Sequence, residues 1–176
     1  MELLPCGHVS PGVKPLERTV ILTGPLWAGN GTRIINRLNN YAAESDDDIQ
    51  MIINSPGGRV DQMIGIIDTM NLIKPDVKTI VFGGAASAAA AIAVSGAKGK
   101  RYVARNAETM FHMPRGGWQA TKAGLEYAEG MMELMEKILA QGTGKTLEQV
   151  QDDIRLELFM NAGESLQYGV YDHILA

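Results

Sequence analysis

The sequence is poor in the residues that build several familiar kinds of site, and each shortage excludes a class of function. Cys6 is the only cysteine, so the chain can form no internal disulfide, no four-thiolate metal centre and no CxxC redox pair, and a reducing compartment is expected. Its three histidines fall in no HExxH or comparable ligand spacing, so no metal is expected. Positive charge is not in excess: sixteen Lys and Arg face twenty Asp and Glu, a balance of −4 that argues against a nucleic-acid partner. The short basic stretch Lys98, Lys100, Arg101 reads as a solvated turn. The longest apolar run, Gly83 to Ala97, falls short of the roughly 20 residues that span a bilayer. The opening "MELLPCGHVSPG" has neither the basic nor the apolar region of a signal peptide. A cytoplasmic chain with no membrane partner is therefore expected. Nucleotide motifs are missing too. Gly24 and Gly29 have P-loop spacing, but Asn30 stands where Lys is required and Gly31 where a hydroxyl should reach magnesium. No GxGxxG occurs, and no cofactor is expected.

What is present is alternation. Residues 1–17, with three prolines and little periodicity, read as a mobile amino-terminal arm, and 18–176 as one domain. "RTVILTG" (18–24), "IQMII" (49–53) and "VKTIVFG" (77–83) read as buried strands. Between them, residues 32–43 place Ile35, Leu38 and Ala42 on one helical face. Val60, Met63, Ile64, Ile67 and Met70 mark a second helix that stops before Pro75. A third helix is expected from about Ala86, then short strands in "KRYVA" and "ETMFH". This order builds parallel sheets with crossover helices, so the fold class is α/β. The second half should carry a long helix over about 119–141, and another opened by the capping box "TLEQ" and reaching about Leu158. A short helix ending at Gly169 should follow. The long helix holds Met131, Met132, Leu134, Met135, Ile138 and Leu139, more apolar surface than one buried stripe uses. Two readings stay open: a second partner surface, or a fully buried core helix.

A single hydroxyl, Ser87, stands in the alanine wall "GGAASAAAAIAV". By itself it could be one more small residue in a tight helix. Acyl transfer by serine needs a base to take the proton, an acid to orient the base, and N–H donors for the oxyanion. His112 closes an apolar strand ahead of "MPRGG", and "NSPGG" (54–58) ends the preceding strand in a turn that could aim N–H groups outward. At the start of a helix, Ser87 would also lie near the positive end of the macrodipole.

Six ordered blocks, "INSPGG" (53–58), "DTMNLIKPDV" (68–77), "GGAASAAA" (83–90), "GAKGKRY" (96–102), "HMPRGG" (112–117) and "FMNAGESLQYGVYDHIL" (159–175), resemble the proteolytic subunit of the Clp protease, a serine peptidase family. The resemblance runs from about Arg18 to the end. It implies the Clp-protease and crotonase-like fold of repeated β-β-α units with a protruding long helix. It implies Ser87 as nucleophile, His112 as general base, and the backbone N–H groups of Gly58 and Ala88 as oxyanion donors. Arg59 and Val60, with Met113, Pro114 and Arg115, match the edges that hold an extended peptide substrate. The family's acid is normally Asp, two residues before the Phe matched by Phe159, which places Glu157 there; Asp153, expected one helical turn earlier on the same face, is the alternative. The resemblance further implies a homo-oligomer of two stacked seven-membered rings, fed unfolded polypeptides by a Clp ATPase. Two rivals are a catalytically inactive ring subunit and a crotonase-type acyl-CoA enzyme.

Overall fold

The computed structural model describes residues 17–113 and 121–175. The rest of the arm, Pro114 and Arg115 lie outside the described residues. Three strands, β1 (Thr19–Thr23), β2 (Ile49–Ser55) and β3 (Val77–Ala86), pair in parallel through the crossover helices α1 (Ala28–Glu44) and α2 (Val60–Leu72). Val20 and Leu22 of β1, Met51 and Ile53 of β2, and Val81 of β3 are all buried. They face the helices, which return Leu38, Met63 and Ile66 to the same core. α2 stops at Leu72, three residues before Pro75, whose ring cannot continue a helix.

β3 then serves two neighbours on one edge. Thr79–Val81 pair with β4 (Arg101–Ala104), and Gly84–Ala86 pair with β5 (Glu108–Phe111). Between them the chain forms α3 (Ala88–Val94), every residue of which is buried. The alanines are small enough for α3 to lie against the strands, close to β3. The long helix α4 (Lys122–Thr143) is opened by Thr121, whose side chain accepts from the Gly124 N–H at 3.1 Å, and closed by Gly144 in the left-handed region at φ 82°. α5 (Leu147–Ile154), β6 (Leu158–Asn161), α6 (Ala162–Tyr168) and β7 (His173–Leu175) complete the chain. β7 pairs in parallel with β4, and β6 is antiparallel to β5. The result is a mixed α/β fold with repeated β-β-α units and a long helix. Among the described residues, no helix is long and apolar enough to cross a membrane.

Several expectations are corrected. Strand β3 continues through Gly83–Ala86, where a helix was expected from about Ala86, because those residues have a partner strand in β5. The helix opened by "TLEQ" does form its reciprocal cap between Thr146 and Gln149, but it ends at Ile154 rather than near Leu158. Asp153 and Glu157 therefore share no helical face. The basic stretch is a solvated turn only at Lys98, which is exposed; Arg101 opens β4 and is buried. Arg101 is 3% exposed; its guanidinium pairs with Asp172 at 2.6 and 2.9 Å and donates to the carbonyl of Gly142 at 2.7 Å. Lys98 also donates to that carbonyl, and Lys100 bridges Asp48 and Asp76. On α4, Met135 and Leu139 are buried, whereas Leu125 and Tyr127 near its start are more than half exposed. The helix is thus partly core and partly surface.

Candidate active site

The candidate residues gather at the carboxyl ends of β2, β3 and β5. Ser87 follows the last residue of β3 with φ 56° and ψ −125°, one of two positive-φ residues other than glycine among those described. Such a backbone costs a non-glycine residue about 1–3 kcal/mol and persists only where its surroundings impose it. Three contacts do so here. The Ser87 N–H donates to the Met110 carbonyl at 2.8 Å, its carbonyl accepts from Ala91 at 3.1 Å as the first bond of α3, and Gly57 presses against it from β2's side. The side chain is held half-buried at the head of α3.

Gly57 sets the distance between the "NSPGG" turn and the serine. With φ 86° it lies so close to Ser87 that an added methyl would sit 2.5 Å from the Ala86 carbonyl oxygen, 2.9 Å from the Ala88 nitrogen and 3.0 Å from Ser87 Cβ. The turn and the serine are therefore direct neighbours. Gly58, with φ 152°, forms a parallel bridge to Leu26: Leu26 N–H donates to the Gly57 carbonyl at 2.7 Å, and Arg59 N–H donates to the Leu26 carbonyl at 3.0 Å. In such a bridge the central residue's own N–H and C=O point the opposite way, so those of Gly58 face away from Leu26. Ala88 is buried, and its N–H belongs to the first turn of α3, where no intrahelical acceptor exists. Ser55 fixes the turn: its buried hydroxyl donates to the Gly24 carbonyl at 2.6 Å and accepts from the Gly57 N–H at 3.1 Å. Sequence reasoning missed this residue, although a serine two positions before a glycine is the spacing that makes such side-chain turns.

His112 directly follows β5, the strand next to β3, and is half-buried. Its strand is anchored by Phe111, 1% exposed, and by Thr109, whose hydroxyl hydrogen-bonds the Tyr171 phenol at 2.8 Å in the interior. The antiparallel register with β6 pairs Met110 with Phe159 and Phe111 with Leu158. The paired register ends at Phe111 and Leu158, and His112 and Glu157 are the next residues of the two segments. Asp153 is differently engaged: its carboxylate accepts from the Tyr168 phenol at 2.7 Å. Burial, then that hydrogen bond, push the Tyr168 phenol well above its usual range. The Asp153–Tyr168 bond ties α5 to α6.

Of the substrate-edge residues, Val60 opens α2 and is half-buried, and Met113 is half-buried against the core. Arg59 is exposed; its guanidinium forks onto Asp61 at 3.0 and 2.9 Å, and this hydrogen-bonded pairing holds the Asp61 carboxyl at about 2. Because the Arg59 N–H already bonds Leu26, only the Gly58 side of this edge faces outward.

A family model for Clp protease matches residues 13–176. The chain belongs to the Clp protease family. The ATP-dependent Clp protease proteolytic subunits of Streptococcus gordonii, Streptococcus equi subsp. equi and Streptococcus pneumoniae are each 42% identical to it over 167 residues. Those alignments take in 91, 90 and 91% of this chain and 85% of each relative. Within the Clp protease family this chain is of the proteolytic kind, and the expected resemblance holds across nearly all of its length.

Proposed function

We propose that the chain is a serine endopeptidase subunit that hydrolyses unfolded polypeptides inside a barrel of two stacked seven-membered rings, supplied by a Clp ATPase. The Ser87 hydroxyl attacks the carbonyl carbon of the scissile peptide bond while His112 takes its proton. The resulting oxyanion is held by the N–H groups of Gly58 and Ala88, donors that require no reorganisation as the charge develops. Collapse of this intermediate breaks the C–N bond, and His112 returns the proton to the leaving amine. Water, deprotonated by His112, then attacks the acyl-serine ester; the C–Oγ bond breaks, His112 returns the proton to the Ser87 oxygen, and the second product leaves as a carboxylic acid. Glu157 holds the imidazole in the tautomer that can accept from serine.

The observation that carries this reading is the strained Ser87 backbone, wedged between the Gly57–Gly58 turn and β5, the strand that His112 directly follows. Strain of this kind belongs to sites where a side chain must be presented, not to the packing of a small helix residue. The register of β5 on β6 supports Glu157 over Asp153 as the acid. A fluorophosphonate probe tests the reading. The assembled wild-type chain should be labelled at Ser87, and Ser87→Ala should abolish both labelling and cleavage of a fluorogenic peptide. An assembled ring that takes no label would instead be a scaffold.

A further inference from the structure

We propose that Glu136 makes this chain selective for a basic substrate side chain beside the scissile bond, an inference that rests on the peptidase reading. Met113, the residue after His112, borders an open groove of about 520 Å³ that runs between α4 and α5. Met132, Glu133, Glu136, Leu147 and Gln151 also line it. Glu136 is 7% exposed, and its carboxylate accepts one hydrogen bond, from the neutral amide of Gln151 at 2.8 Å. Among the described residues no cation pairs with it. Its acidic neighbours on the groove differ: Glu133 pairs with Lys137 at 2.8 Å and Glu126 with Lys122 at 3.8 Å, and Glu129 is exposed to water. No described Lys or Arg lines the groove.

A carboxylate withdrawn from water without a counter-charge is unfavourable unless something else compensates. A tether between α4 and α5 would need no charge, since the side-chain oxygen of a glutamine at 136 could also accept from Gln151. The charge has a use if a cation arrives with the substrate. An extended peptide lying against Met113 turns alternate side chains to opposite sides, so one residue flanking the scissile bond faces α4. The long, apolar stem of Lys or Arg would lie along Met132 and Leu147, with its charged end at Glu136.

The test uses the assembled chain and peptides that differ only by lysine or norleucine at single positions around the cleaved bond. At one position the lysine peptide should be cleaved about tenfold or more faster in kcat/KM, as expected for a charge-assisted hydrogen bond in place of an uncharged contact. Glu136→Gln, which keeps the acceptor for Gln151, should bring that ratio close to one. Gln151→Lys, which supplies a resident cation, should do the same if Glu136→Gln assembles poorly. A wild-type ratio near one, or a ratio that survives both substitutions, overturns the proposal. Fluorescence anisotropy of the same peptides on Ser87→Ala separates this from failure of the peptidase reading. A lysine preference there, lost on adding Glu136→Gln, supports the subsite even where the wild-type chain takes no fluorophosphonate; equal binding of both peptides overturns it.

Discussion

At the scale of single residues, the site depends on how closely backbone meets backbone. Gly57→Ala should lower kcat/KM by at least about 100-fold, because the new methyl must displace Ala86 or Ala88, and Ala88 is the proposed oxyanion donor, the loss of which would be worth about 2.7–4 kcal/mol. Single-turnover kinetics on protein of unchanged oligomeric mass would show the fall in the acylation step. The two candidate acids make a sharper contrast. Glu157→Gln should reduce kcat by about 10²- to 10⁴-fold, since an amide cannot stabilise the imidazolium. Asp153→Asn should leave kcat within tenfold while lowering stability by about 1 kcal/mol through the Tyr168 bond. Steady-state kinetics and thermal melts of both variants check this. Ser87 and His112 could be nominated from the sequence because their neighbours are distinctive. Ser55 could not, because its role exists only where the β2 turn folds back on Gly24.

At the scale of elements, the early strand–helix alternation was readable because β1, β2 and β3 are continuous apolar runs separated by helices of clear periodicity. The later errors share one cause. "LELF" continues the pattern of an amphipathic helix, and only its antiparallel partner β5 makes Leu158–Asn161 a strand. Three-residue β7 likewise exists through β4, and Gly83–Ala86 are extended because β5 lies beside them. Arg101 misled for the same reason: its partners Asp172 and Gly142 are 71 and 41 residues away. That ion pair joins β4 to the segment before β7 and fastens both to the end of α4. Asp172→Ala should destabilise the fold by about 3–5 kcal/mol, leaving a guanidinium in the interior without its counter-charge. Its pH dependence has a definite sign. Burial pushes the Asp172 carboxyl up, but the hydrogen bonds and charge of Arg101 outweigh it and hold the group below its usual value. The pair therefore contributes fully above about pH 4 and is lost as pH falls through the depressed value. Melting curves from pH 6 down to 2.5 should show a shallower loss of stability for Asp172→Asn than for wild type.

At the scale of the whole molecule, confinement is what would let a peptidase of broad reach spare folded proteins. Light scattering should give a mass fourteen times that of the 19.0 kDa chain. Peptidase activity should elute with that species and be absent from any monomer fraction. Assembly was the least legible feature, since a sequence pattern shows that α4 carries apolar surface without showing what covers it. Everything in the proposed chemistry requires one serine and one histidine to act on the same substrate carbonyl. A peptidyl chloromethyl ketone tests that directly, because it bonds to a serine oxygen through its carbonyl and alkylates the adjacent imidazole through its methylene. Peptide mapping by mass spectrometry should recover alkylated His112 from the wild-type chain and almost none from Ser87→Ala, because reversible addition of the serine oxygen to the ketone is what holds the methylene against the imidazole. Equal alkylation of His112 in both proteins, or modification only elsewhere in an intact ring, would contradict it.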